Sequence, residues 1–165
     1  MKFFKILSSS KGLTLIEVLV SLTILSIILL GIMNFFNQAY SYTNSNQKKT
    51  AAVNVARNAL TFMEQSTGTN SFIAIRERLE KNEKSSGTLQ ICNNEYKLIW
   101  KGDATPTDCS PVTINNIPYH VSIVPTLDKK YTDYFIPLTV KVDWKVNKRE
   151  YTTSVEGAIK SEDLR

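Results

Sequence analysis

The stretch KGLTLIEVLVSLTILSIILLGIM, Lys11–Met33, decides how the first part of this chain folds. From Leu13 onward it is mostly Leu, Ile and Val, and Glu17 is its single charge. As an α-helix rising about 1.5 Å per residue, the run reaches about 30 Å, the thickness of a bilayer's hydrocarbon core. Lys2, Lys5 and Lys11 precede it with no acidic residue among them. That asymmetry predicts a single pass with the N-terminus in the cytoplasm and the remainder outside. A carboxylate in hydrocarbon costs about 2.5 kcal/mol or more, so Glu17 demands an explanation.

Three explanations compete. A cleaved secretory signal accounts for the lysines, but the apolar run is long for one. It also lacks a good small-x-small site, since FFNQAYS offers only Asn37-Gln38-Ala39. A permanent single-span anchor fits the length and leaves Glu17 unexplained. The third explanation covers both features. KGLTLIEVLVSLTIL resembles the processing site of type IV prepilins and pseudopilins: a short basic leader ending in Gly12, an apolar helix, and a Glu five residues past the cut. Leu13 stands where the family more often has Phe.

The resemblance implies cleavage between Gly12 and Leu13 by a membrane prepilin peptidase, with N-methylation of Leu13. It implies that Glu17 pairs, in the filament, with the N-terminal ammonium of Leu13 on a neighbouring subunit. A buried carboxylate needs such a cation, and one ion pair selects one axial register among otherwise weakly directional apolar helices. It also implies a helical spine with a small head. The partners implied are other pilin or pseudopilin subunits, the peptidase, an inner-membrane assembly platform, and lipid before assembly. The expected location is the cell membrane and then a cell-surface or envelope-spanning filament. The presence of Glu17 argues against the extreme tip position, where no subunit stands above to pair with it.

Beyond the apolar run, Ala52, Ala56, Ala59 and Met63 recur at helical spacing, flanked by Val55 and Phe62. One helix is therefore expected from Leu13 to about Gln65, ending near Ser66-Thr67-Gly68. Gly31 and Asn34 permit a kink without requiring one. NSFIAIRERLEKNE predicts a short second helix capped by Asn70 or Ser71, with Phe72, Ile75 and Leu79 on its apolar side. From Leu89 the period changes to two. Tyr96, Leu98 and Trp100 alternate, then Tyr119, Val121 and Ile123, then Leu138 to Val146, then Tyr151, Thr153 and Val155. Asn147-Lys148 predicts a tight hairpin between the last two. The expected class is α+β, a long helix packed on an antiparallel sheet of about four strands, the pilin-like roll. The expected divisions are a leader at 1–12, an assembly and transmembrane half-helix at 13–36, an amphipathic half-helix at 37–66 and a head at 67–165.

The 165 residues carry a net charge of +5, but setting the three leader lysines aside leaves about +2. That is too little to infer nucleic-acid binding from charge. Candidate nucleic-acid contacts are Lys129, Lys130 and Tyr131 in LDKKYTDYF, and Lys148 and Arg149 in KVNKREY. Solvated loop tips explain the same residues without a ligand. Cys92 and Cys109 are the two cysteines; in an exported domain they predict one disulfide, in the cytosol two thiols. With the lone His120 they do not make a familiar metal set, and no phosphate loop or cofactor motif is present, so neither cofactor nor catalysis is expected. The expected function is a minor pilin or pseudopilin of a type IV pilus, competence pilus or secretion filament. The rival is a single-span membrane protein with an outer ligand- or DNA-binding domain.

Overall fold

A computed structural model describes residues 14–65, 71–81, 86–104, 106–126 and 133–161. The chain divides into two compact units, Met1–Ser45 and Asn46–Arg165. Helix α1, Leu15–Gln65, is unbroken through Gly31 and Asn34. No proline interrupts it.

In the first unit α1 is an isolated apolar helix. Leu15, Ile16, Ile27, Leu30, Met33 and their neighbours are all exposed. Its hydroxyls bond back to their own helix: Ser21 Oγ donates to the Val18 carbonyl at 2.8 Å, Thr23 Oγ1 to Val20 at 2.8 Å, and Ser26 Oγ to Leu22 at 2.8 Å. Polar side chains satisfied in this way are compatible with an apolar surrounding.

In the second unit the last part of α1 buries Ala52, Val55, Ala56, Ala59 and Met63. Three alanines on one face bring the helix backbone close to the sheet. Helix α2, Phe72–Glu80, is capped by Ser71, whose hydroxyl accepts from the Ala74 N–H at 3.4 Å. It buries Phe72, Ile75 and Leu79, the three residues that its spacing selects. Arg78 lies over the Trp100 ring at 5.2 Å, and Arg76 pairs with Glu80 and Asp133, each at 2.9 Å.

The strands are β1 (Gly87–Cys92), β2 (Glu95–Trp100), β3 (Cys109–Ser110), β4 (Val112–Ile114), β5 (Ile117–Pro125), β6 (Phe135–Val146) and β7 (Arg149–Lys160). All pair antiparallel in the order β2-β1-β5-β6-β7. Among the described residues the sheet has seven strands, more than the four expected, and the α+β class holds. The period-two pattern from Leu89 marks β1 as a short strand ending at Cys92, and it sits between β2 and β5 rather than at an edge. The remaining excess is a wedge. Gly87–Leu89 of β1 pairs directly with β5, but Ile91 and Cys92 pair with β3, and Ile117–Tyr119 of β5 pairs with β4. The short β3 and β4, with Pro111 between them, fill the gap where β1 and β5 diverge. Runs of two and three residues are too short for a period-two pattern to reveal.

Cross-strand partners share a face, so one row of pairs defines the core: Leu89 opposite Val121, Val121 opposite Val142, Ile123 opposite Val140, and Ile136 opposite Ile159. These residues form one apolar cluster with the α1 and α2 faces. Tyr119 stands in that cluster and its hydroxyl donates to the Lys48 carbonyl at 3.4 Å. Burial pushes its phenol pKa up. Trp144 stacks on Tyr151 at 5.6 Å. At Gly157 the helix comes so near that an added Cβ would overlap the Leu60 side chain.

Candidate functional site

The start of α1 is the candidate site. The Glu17 carboxylate accepts from the Thr14 backbone N–H at 2.8 Å and from the Thr14 hydroxyl at 2.9 Å. In return the Glu17 N–H donates to Thr14 Oγ1 at 3.4 Å. This is a reciprocal capping box. The residue at the helix start accepts from an otherwise orphan N–H, and the acidic residue three positions on reaches back to it. Glu17 also stands in the first helical turn, where a negative charge complements the helix dipole. The single charge of the apolar run therefore has partners within its own chain. The signal was present in the sequence as Thr14-x-x-Glu17, the spacing of a capping box.

Ile16, Val20, Ser21 and Ile24 border Glu17 on the helix surface. The carboxylate is consequently set in a largely apolar stripe, with its hydrogen bonds to Thr14 on the side of the helix start. Gly12 and Leu13, the residues at the expected cut, lie outside the described residues.

In the head, Cys92 and Cys109 form a disulfide between directly opposed residues of β1 and β3, with Cα atoms 4.2 Å apart. The bond fastens the wedge to β1. Closure of such a loop stabilises the fold by roughly 3 kcal/mol in the chain-entropy model.

Of the five expected nucleic-acid residues, Lys148 and Arg149 are among the described residues. Lys129, Lys130 and Tyr131 lie outside the described residues. Lys148 and Arg149 are exposed at the β6–β7 turn. Nearby charge is partly compensated, since Lys145 pairs with Glu150 at 3.1 Å. His120 is exposed on the outer sheet face opposite Asp143. It borders an open depression of about 600 Å³ with Lys141, Asp143, Glu150 and Thr152, where both signs of charge alternate. Among the described residues no group of three or more metal-ligating side chains occurs.

Two further tight turns in the head use Asn-Asn where Asn-Gly is the commoner pair. Asn93-Asn94 joins β1 to β2, and Asn115-Asn116 joins β4 to β5. Both residues of each pair have positive φ, 52° and 66° in the first and 50° and 61° in the second. Asn147-Lys148 does the same at 48° and 66°. Two-residue hairpins of type I′ require this, and Asn tolerates it better than any residue but Gly.

Residues 7–33 match the prokaryotic N-terminal methylation motif, the type IV prepilin-type leader. No curated protein and no solved structure matches the chain. The motif and the apolar helix together support a type IV pilin-like subunit. Such a subunit assembles with other pilin subunits and is a substrate of the prepilin peptidase.

Proposed function

We propose that this chain is a minor pilin or pseudopilin, a structural subunit of a type IV pilus, competence pilus or type II secretion-like filament. Its leader is removed after Gly12 and the new amino group of Leu13 is methylated. The subunit waits in the membrane with its N-terminus in the cytoplasm, then passes through an inner-membrane assembly platform into the filament. The reading rests on one observation, Glu17 at the start of a helix whose apolar side chains have no partner in their own unit.

The capping box supplies a physical account of the two states. In the bilayer, Thr14 satisfies the carboxylate within the chain, which lowers the cost of holding it beside hydrocarbon. In the filament, the Leu13 ammonium of a neighbour supplies the charge that Thr14 lacks. The ion pair then fixes register.

Two substitutions separate capping from pairing. Glu17→Gln keeps an amide oxygen able to cap, because Gln serves at this position of a capping box, but carries no charge. Glu17→Ala removes both. The expected result is normal membrane insertion and leader cleavage for both variants, with filament incorporation lost in both. Normal incorporation of Glu17→Gln would show that Glu17 serves only as a helix cap. N-terminal sequencing of the mature protein checks the cut directly, and an unprocessed chain in cells holding the peptidase would favour a plain membrane anchor.

A further inference from the structure

The far end of the apolar run is marked as clearly as its start. Phe35, Phe36, Tyr40 and Tyr42 are all exposed, at 67%, 65%, 75% and 64%. At 100° per residue they fall into two columns, Phe35 under Tyr42 and Phe36 under Tyr40, spread over nearly half the helix circumference. In each column the wholly apolar ring comes first and the phenol follows. Asn34, Asn37 and Gln38 interleave with them. That order follows the polarity gradient at the edge of a bilayer, hydrocarbon first and headgroups next.

The spacing fits as well. Phe35 lies eighteen residues beyond Glu17, or about 27 Å along the helix, against a hydrocarbon core of about 30 Å. Tyr40 and Tyr42 then reach some 7–10 Å further, into the headgroup layer, where amphipathic rings are favoured. With Phe35 and Phe36 at the outer boundary, Thr14 and Glu17 reach the inner one.

We propose that Phe35, Phe36, Tyr40 and Tyr42 form an interfacial collar that binds the outer phospholipid headgroup layer and sets the resting depth of the helix. The collar rests on the reading of the chain as a membrane-resident subunit. It acts before assembly, and its effect is to hold the Thr14–Glu17 cap at the inner boundary instead of within the hydrocarbon.

The test uses the full chain in vesicles of phosphatidylcholine and phosphatidylglycerol whose acyl chains are lengthened stepwise. A nitroxide is placed at Ser26→Cys, midway between Glu17 and Phe35; the two native cysteines are tied to each other. Depth is read from oxygen against nickel-chelate accessibility. In the native background the label should keep a constant depth below the outer boundary as the bilayer thickens. With Phe35→Leu, Phe36→Leu, Tyr40→Gln and Tyr42→Gln combined, it should follow the bilayer centre, a shift on the order of one helical turn, ~5 Å. The pair Tyr40→Gln and Tyr42→Gln alone should give an intermediate shift. Equal depth in native and substituted chains at every thickness would overturn the collar and leave the membrane reading standing. A label exposed to water in the native chain would overturn the membrane reading itself.

Discussion

The two halves of α1 are one unbroken helix and obey opposite rules. Up to Ser45, large apolar side chains are exposed on all sides; from Ala52 to Met63, three alanines with Val55 and Met63 are buried on one side. A helix apolar all round is stable only inside something, a membrane or a bundle of its own kind. The second half needs only a stripe, because its sheet is supplied by the same chain. The choice of residue follows. Leu and Ile serve where the partner is lipid or other helices, and Ala serves where a sheet must come close. One half is completed from outside the chain and the other from within it.

Removing the disulfide should have the largest effect on the half that completes itself. The head completes itself partly through the Cys92–Cys109 bond, which holds the β3–β4 wedge to β1. Replacing both cysteines by Ser should cost the head roughly 3 kcal/mol, read from urea unfolding of the detergent-solubilised chain by Trp fluorescence. Both tryptophans lie in the head and report on nothing else. Dithiothreitol should shift the native protein by the same amount. Unfolding insensitive to reductant would mean that the wedge is held without the bond.

The same substitution at two glycines should act differently in the two units. Gly157→Ala places a methyl group against Leu60, which must leave its position between helix and sheet. A cost of about 1–2 kcal/mol to the head is expected, partly restored by adding Leu60→Ala. Gly31 has nothing within 4 Å of an added Cβ. Gly31→Ala should therefore leave head unfolding unchanged and raise helix content by the ordinary propensity gain, up to about 1 kcal/mol. A cost to the head at one site and none at the other would follow from tight packing in one half and none in the other. A loss of head stability from Gly31→Ala would show that the first half is not independent of it.

What was legible in the sequence divides along similar lines. The apolar run, the Ala52–Met63 stripe and the face of α2 declare themselves through local periodicity, which needs no knowledge of the partner. Strands β5 and β6 show clean alternation because each has one face on the core. Strand β1 is harder to place, since Thr88 and Gln90 on its outer face are also half-buried and its central position depends on pairing with residues thirty or more positions away. The wedge is invisible for the same reason: β3 and β4 exist only because β1 and β5 diverge. At the candidate site the carboxylate stood out by its cost, while its nearest partner did not. A charge in an apolar run points to a cation elsewhere, whereas Thr14 is three residues away and uncharged.

The three hairpins give the smallest prediction and the finest test of how the head secures itself. Each turns on two residues of positive φ, and five of the six are Asn. Lys148 is the exception, at φ 66°. A residue with a Cβ and no short polar group to bond locally is strained there by about 1–2 kcal/mol. Lys148→Gly removes that strain but enlarges the freedom of the unfolded chain, which offsets about 0.5–1 kcal/mol. The net expectation is stabilisation of the head by roughly 0.5–1 kcal/mol, visible as a higher urea midpoint with an unchanged slope. The parallel change Asn147→Gly should gain less, because Asn already tolerates the conformation. If Lys148→Gly destabilises instead, the lysine has a partner at the tip that outweighs its strain, and this turn is held from outside the chain, as the first half of α1 is.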